Sequence, residues 1–350
     1  MAVTLKDIAN KVGVTQQTVS LVLNSNKSRV PISQKTRDKV LKAAKELDYL
    51  PNFQAQTLRN KRSYFLGVLF PHGIQISENF YMNRMQYGIG LAVEGSNYEM
   101  VIMSNVEDRE KTINLVRRNR LDGLIFIVYG EQIHPFINEY ASVLKDAKVP
   151  FVVVHTTSHI PMPFNNVGYD CFKAGYQVTE HLIGLGHKDI GFIYLDYETA
   201  LPIRETREGF IKALADNGLE ADPARQFGGE EIAVGYKAVK KITQGKMPTA
   251  FVCCDDYRAI NTIKGLKELG IRVPGDCAVV SCSHTITRRH AEQYALDRDL
   301  TTVKQPIIEK GKVAARMLMD IMDKNGNGGE PHRIILEPEL VVRGSSGDKI

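Results

Sequence analysis

The chain carries two different hydrophobic rhythms. Over its first fifty residues, apolar side chains recur at helical spacing in short bursts. In TLKDIANKVGVTQQTVSLVLN, from Thr4 to Asn24, Ile8, Ala9 and Val12 give one apolar face. Thr4 is a good N-cap, with Asp7 three residues on as an imperfect capping box. Gly13 then supplies a residue able to take positive φ after a helix end. Thr15 caps a second helix, in which Val19, Val22 and Leu23 point inward at i, i+3 and i+4. Gln16, Gln17, Ser20 and Leu21 fall on its other face. After a polar loop, Ser25 to Pro31, Ser33 caps a third helix with the stripe Val40, Leu41, Ala44 and Leu47. Tyr49-Leu50-Pro51-Asn52 ends it, because the residue before proline is pushed out of the α region.

From Tyr64 onward the rhythm changes to short β-rich apolar runs separated by longer helical patterns. The runs are 64–70, 98–104, 121–128 and 150–154, then 189–195, 249–254 and 276–282. Helical patterns fall near 80–94, 107–119 and 132–147, then 172–185, 205–217, 232–244 and 257–269. Such alternation predicts parallel sheets with helices on both faces, and two sets of strands predict two doubly wound subdomains. The expected fold class is α/β, with a small all-α headpiece ahead of that body. Ligands of such sheets bind beyond the carboxyl ends of strands. Two facing subdomains would put that region in a cleft between them.

Between the two parts lies Phe53 to Arg62, FQAQTLRNKR, which is too polar to bury a face alone. It reads as a flexible linker or as a segment that folds on a partner. If helical, it places Ala55 and Leu58 on one side, and a leucine there could wedge between base steps in a minor groove. At 350 residues the whole chain is long enough for two or three domains.

Charge sharpens the picture. Residues 1–62 hold 12 Lys/Arg and 4 Asp/Glu, a net of +8, and the other 288 hold 33 and 36, a net of −3. A basic module on a near-neutral body suits a polyanion, bound through phosphate contacts and counterion release, although a merely solvated basic face has the same composition. The outer face of the second helix adds chemistry. Gln can bond adenine through two hydrogen bonds, and an apolar tip can meet a thymine methyl. A small helical hairpin with a polar face is the plainer alternative; the DNA-binding helix-turn-helix has the same geometry.

The N-terminal sixty residues resemble the LacI/GalR family of bacterial transcription regulators. The matching stretches are VTLKDIANKVGVTQQTVSLVLN, SQKTRDKVLKAAKELDYLPN and the AQTL of the linker. The resemblance implies that Gln16, Gln17 and Leu21 face bases. It places Thr4, Thr15, Thr18, Ser20 and Asn24 near phosphates. It also makes 51–62, with Asn52, Ala55 and Leu58, a hinge whose leucine enters the minor groove at the operator centre. LDGLIFI, EHLIGLGHKDIGFI, REGFIKALADNGL, PTAFVCCDDYRAI, GIRVPGDCAVVS, LTTVKQPIIEKGKVAARML and LEPELVVR look like family landmarks in their usual order. They imply a periplasmic-binding-protein-like body at 63–350, with the chain crossing between subdomains three times. The N-subdomain is then about 63–162 plus 285–317, and the C-subdomain about 163–284 plus 318–350.

The expected effector contacts depart from that family's pattern. Asp256 matches the aspartate of an Asn-Asp pair and could accept from ligand hydroxyls or cap the following helix. Asp255 stands where the asparagine is usual. Thr206 stands where a ligand-gripping arginine is usual, with Arg204 and Arg207 close by. Ser281-Cys282-Ser283 replaces the usual Gly-Phe-Asp, so Ser283 takes the place of a carboxylate. These departures weaken a conventional sugar. They leave another metabolite, a protein corepressor or an unused pocket.

Enzyme and cofactor chemistry find no support. The GLGH of 184–187 follows a helix rather than a strand, and GxxxxGK[ST], HExxH and GxSxG are absent. His187 reads as a turn residue, and Cys282 with His284 is too small a set for a metal. The five cysteines, Cys171, Cys253, Cys254, Cys277 and Cys282, have no CxxC spacing and read as buried thiols in a reducing compartment. No signal sequence or long apolar run occurs, so a cytoplasmic location is expected. After Arg343 only seven residues remain, without leucine heptads, so the resemblance implies a homodimer rather than a coiled-coil tetramer. The function expected is sequence-specific, ligand-modulated DNA binding. The alternative is a solute-binding or enzymatic α/β protein with an incidental basic appendage.

Overall fold

The computed structural model describes residues 3–23, 32–50, 62–70, 80–103, 109–118, 120–128, 142–146, 148–155, 162–195, 201–229, 231, 233–242, 247–283, 299–323 and 330–347. The chain divides into two compact units, Met1–Arg62 and Ser63–Ile350.

The first unit contains α1 (Leu5–Val12), α2 (Gln16–Leu23) and α3 (Gln34–Glu46). Ile8, Ala9, Val19, Val22, Val40, Ala43 and Ala44 form its buried centre. One expectation needs correction: Leu41 is 48% exposed, and Ala43 takes its place in the stripe. Positions 40, 43, 44 and 47 follow the i, i+3, i+4, i+7 spacing of one helix face, and residue 41 is turned away from it. Ser33 caps α3 as expected, its hydroxyl accepting from Thr36 N–H at 3.2 Å. Lys11 and Glu46 join α1 to α3 at 2.8 Å, an exposed pair that adds little.

Among the described residues the second unit holds two six-stranded sheets. In chain order its strands and main helices are β1 (Phe65–Leu69), α4 (Phe80–Val93), β2 (Glu99–Met103), α5 (Arg109–Arg117), β3 (Gly123–Ile127), α6 (Ser142–Asp146), β4 (Phe151–Val154) and β5 (Asn166–Tyr169). Then come α7 (Cys171–Gly184), β6 (Ile190–Leu195), α8 (Leu201–Asp216), β7 (Gln226–Gly229), α9 (Val234–Ile242), β8 (Ala250–Cys253), α10 (Asp256–Glu268) and β9 (Ala278–Ser281). The last are β10 (Thr301–Lys304), α11 (Ile307–Asp323), β11 (Arg333–Leu336) and β12 (Glu339–Val341). The first sheet runs β11-β5-β4-β3-β1-β2 and the second β12-β10-β9-β8-β6-β7. All pairings are parallel except β10 with β12. Runs such as the FVVV of β4 and the AVVS of β9 are buried at every position, as both-face coverage requires.

Sheet membership corrects the expected subdomain limits. The sequence places β5 in the C-subdomain, but it pairs with β4 and β11 in the first sheet. The sequence places β10 in the N-subdomain, but it pairs with β9 in the second sheet. β11 and the last turns of α11, with Leu318, Ile321 and Met322, also belong with the first sheet. The three crossings therefore fall at Asp170, at Gln305–Pro306 and at Glu337–Pro338. A strand belongs to the sheet that takes its backbone hydrogen bonds, and those partners are distant in sequence.

Two helix pairs are fixed by reciprocal glycines. A Cβ on Gly88 of α4 would lie 2.1 Å from Ile308 O, and one on Gly311 of α11 would lie 2.5 Å from Met85 O. A Cβ on Gly175 of α7 would lie 2.0 Å from Thr206 O, and one on Gly209 of α8 would lie 2.0 Å from Phe172 O. At the start of this unit, Asp122 accepts from Ser63 N–H at 2.7 Å, Ser63 Oγ at 2.8 Å and Tyr64 N–H at 2.9 Å. It holds Tyr64 at φ 58 immediately before β1.

One ammonium lies inside the first core. Lys310 is 2% exposed, and its Nζ donates to His155 O at 2.9 Å. Burial pushes this amine down to about 7 from 10.5.

Two outcomes are expected. Gly88→Ala drives a methyl into the backbone of α11 and lowers unfolding free energy by about 1–3 kcal/mol in urea. Gly90→Ala, on the same helix with nothing within 4 Å, is neutral or stabilising. The second outcome concerns pH. Between about 7 and 10.5 the unfolded chain holds the Lys310 proton and the folded one does not, so this residue makes stability rise with pH across that window. Its contribution approaches ~1.4 kcal/mol per pH unit, is constant below the window, and is absent in Lys310→Met. Urea titrations of both proteins from pH 6 to 10 measure the difference.

Candidate nucleic-acid interface and ligand cleft

In the first unit the local chemistry fixes how α2 is presented. The Asp7 carboxylate accepts from Thr4 N–H at 2.8 Å and Thr4 Oγ at 2.7 Å. These bonds hold its carboxyl below the ordinary range. Gly13 ends α1 at φ 73, with its N–H on Ala9 O at 2.9 Å. Thr15 then starts α2: its hydroxyl accepts from Thr18 N–H at 3.1 Å and lies 2.9 Å from the Thr18 hydroxyl. Val19 and Val22 are sealed in the core at 0% and 1% exposure, which sets the rotation of the helix. Gln16 and Gln17 are consequently exposed, and Ser20 and Leu21 half-buried beside them. Thr4 is exposed, while Lys35, Lys39, Lys42 and Lys45 line the solvent side of α3. Asn24, Asn52, Ala55 and Leu58 lie outside the described residues.

In the second unit the carboxyl ends of the two sheets meet. Tyr169 ends β5 of the first sheet, yet belongs to the same buried cluster as Cys254 and Cys282, which follow β8 and β9 of the second. The expected effector residues divide here. Asp256 is 2% exposed, and its Oδ1 accepts from Ser281 Oγ at 2.6 Å and Thr302 Oγ1 at 3.2 Å. It does not cap α10. The cap is Asp255, whose side chain accepts from Arg258 N–H at 3.0 Å and pairs with Arg258 Nη1 at 2.6 Å. Ser283 is buried, with its N–H on Ser281 Oγ at 3.3 Å. One carboxylate thus ties β9 and β10 to the first turn of α10.

The arginine position reads differently from expectation. Thr206 is buried, its hydroxyl donates to Pro202 O at 2.8 Å, and its backbone packs on Gly175 of α7. Arg204 is exposed. Arg207 donates from Nε to Gln226 at 2.6 Å and stands 5.2 Å over the Tyr194 ring. The sequence reading missed Arg258 and Lys310. A lysine three residues after Ile307, within an otherwise apolar stripe, was the available signal for Lys310. Arg258 carried no comparable mark.

The other candidates have structural explanations. All five cysteines are buried, and none is in a disulfide. Burial pushes every thiol up, Cys277 to about 12, so thiolate chemistry is suppressed. His187 Nδ1 lies 3.1 Å from Thr249 Oγ1, and burial lowers its pKa. His284 lies outside the described residues. Among the described residues no cluster of three His, Cys, Asp or Glu could hold a metal, and no helix is long and apolar enough to cross a membrane.

Known proteins fit both parts of this architecture. Residues 4–52 match the lacI family of bacterial regulatory proteins, and residues 179–346 match a periplasmic binding protein-like domain. The HTH-type transcriptional repressor PurR of Haemophilus influenzae is 30% identical over 353 residues, 98% of each chain. Catabolite control protein A of Staphylococcus xylosus is 31% identical over 352 residues, 99% of this chain and 100% of that one. A lac repressor dimer solved with operator and the anti-inducer ONPF has a TM-score of 0.73 and 25% identity, covering 99% of this chain and 100% of that one. A complex of the transcriptional regulator CelR with cellobiose has a TM-score of 0.65 and 26% identity, covering 98% and 99%. With a helix-turn-helix whose second helix leaves Gln16 and Gln17 exposed, a body of two parallel sheets, and relatives matched from end to end, the chain belongs to the lacI family of bacterial regulatory proteins and is a DNA-binding transcriptional regulator, not an enzyme.

Proposed function

We propose that this protein is a cytoplasmic repressor that binds a pseudo-palindromic operator in double-stranded DNA as a homodimer. Its operator affinity is set by a small-molecule effector, or a protein corepressor, acting on the cleft where the two sheets' carboxyl ends meet. The observation that carries the DNA reading is the rotation of α2. Val19 and Val22 are locked inward, which turns Gln16 and Gln17 outward.

In this reading Gln16, Gln17 and Leu21 meet base edges in the major groove. Thr4, Thr15, Thr18, Ser20 and Asn24 position the helix on phosphates. Asn52, Ala55 and Leu58 serve the minor groove at the operator centre, with Leu58 as the wedge. A single headpiece reads only a half-site, which is the reason for a dimer. The lac repressor structure to which the chain is similar contains a dimer on operator, and the CelR structure contains cellobiose. An effector shifts the protein between states only by its differential affinity for them. The internal use of Asp256 and Thr206 favours an effector gripped differently from a neutral sugar.

Three measurements bear on this. Operator affinity falls log-linearly with salt, and an affinity indifferent to ionic strength defeats the DNA reading. Gln17→Ala relaxes base preference at one position of each half-site by roughly 1–3 kcal/mol in a binding selection; an unchanged preference removes Gln17 from the base edge. Leu58→Ala costs much more affinity on operator than on random DNA, and an equal loss on both removes the wedge.

A further inference from the structure

The carboxyl end of the first sheet contains an arrangement that the family resemblance does not assign. Lys310 of α11 is 2% exposed. Its Nζ reaches the carbonyl of His155, the residue after β4, at 2.9 Å. Two aromatic rings flank the same nitrogen: Tyr81 of α4 at 5.2 Å and Tyr169 of β5 at 6.0 Å from the centroids. No carboxylate pairs with this ammonium among the described residues. The His155 ring is turned to Asn166, with Nε2 at 3.1 Å from Oδ1, and the Asn166 amide donates to Phe164 O at 2.7 Å. On Lys310's own helix, Glu309 lies 3.7 Å from both Lys312 and Arg316, and Asp323 accepts from the Tyr98 hydroxyl at 3.3 Å.

Beside it stands a second buried donor. Tyr169 is 1% exposed, and its hydroxyl has no hydrogen-bond partner among the described residues. Burying a hydroxyl without a partner is costly, and burying a cation without a counter-charge costs more. Both donors sit where β4 and β5 end, which is where doubly wound sheets bind ligands. What would satisfy the two together is an acceptor carrying negative charge.

We propose that Lys310 and Tyr169 form the subsite for an acidic group of the effector, a carboxylate or a phosphate, placed at the carboxyl end of the first sheet. This rests on the cleft reading given above and adds the ligand's chemical class. Lys310 supplies the charge and Tyr169 a neutral hydrogen bond. The Tyr81 and Tyr169 rings hold the amine in place when the subsite is free.

Proton linkage follows. The free protein holds the Lys310 amine near 7, so an anion binds together with a proton at higher pH. The groups that bear on this amine are the Tyr81 and Tyr169 phenols, the His155 carbonyl and the Cys171 thiol, whose own titration burial moves to the alkaline side. Lys310 thus titrates in the neutral range at this subsite.

The test is thermal denaturation of the full-length protein at constant ionic strength. The probes are inorganic phosphate, succinate and glucose 6-phosphate, with glucose and cellobiose as neutral controls. At least one acidic probe raises the melting temperature by several degrees at pH 6.5, and its affinity falls by up to about tenfold per pH unit above 7. Phosphate against succinate separates the two acid types. Lys310→Met abolishes the rise. Tyr169→Phe weakens it several-fold without lowering the melting temperature of the free protein, since the hydroxyl it removes has no partner. Acidic probes that are silent, or that act equally on wild type and Lys310→Met, overturn the proposal. A neutral sugar that alone acts overturns it too but leaves the cleft reading standing. If an acidic probe binds through Lys310 yet leaves operator affinity unchanged, the subsite stands and the cleft's regulatory role falls.

Discussion

A parallel sheet must be covered on both faces, and most of this molecule follows from that constraint. Each central strand is a nearly unbroken apolar run, so helices have to lie above and below it. Helices packed that closely leave no space for side chains at their crossings. The reciprocal pairs Gly88 with Gly311 and Gly175 with Gly209 are the consequence, one pair for each sheet. Once the faces are closed, the carboxyl ends of the strands remain as the place where polar groups can gather. Asp255, Asp256, Arg258 and Ser281 collect there in the second sheet, and His155, Tyr169 and Lys310 in the first.

How much of this was legible beforehand depended on whether the signal was local. The cap at Thr15, the positive φ of Gly13 and the inward Val19 and Val22 are all set by residues within one turn of each other. The strands FLGVL, GLIFI and FVVV announce themselves by composition. By contrast, NVGY, QFGG and TTVK are four-residue strands with little apolar content, and pairing alone makes them strands. Their sheet membership depends on partners far along the chain. That is why the subdomain limits at β5, β10 and β11 were misplaced.

The polar residues followed the same division. Asp256 was recognisable as a special position, but its partners Ser281 and Thr302 are 25 and 46 residues away. The three together make an internal brace rather than an open carboxylate. Thr206 looked like a lost arginine, yet its backbone is the surface on which Gly175 rests. Lys310 interrupts an apolar stripe, and only the fold shows that the interruption coincides with the ends of β4 and β5. A charged residue out of phase with its helix is thus the kind of local anomaly that most repays inspection.

The Asp122 carboxylate has a mechanical consequence. It binds both backbone N–H groups at 63 and 64 and the Ser63 hydroxyl, while its own N–H returns to Phe65 O at 2.8 Å. The start of the body is therefore stitched to the loop that opens β3, a central strand of the first sheet. A tilt of that sheet moves residue 63 with it, with no slack to absorb the displacement. The first residues of the body are thus clamped to the sheet rather than free to swivel, and the entry to β1 and the entry to β3 form a single mechanical piece.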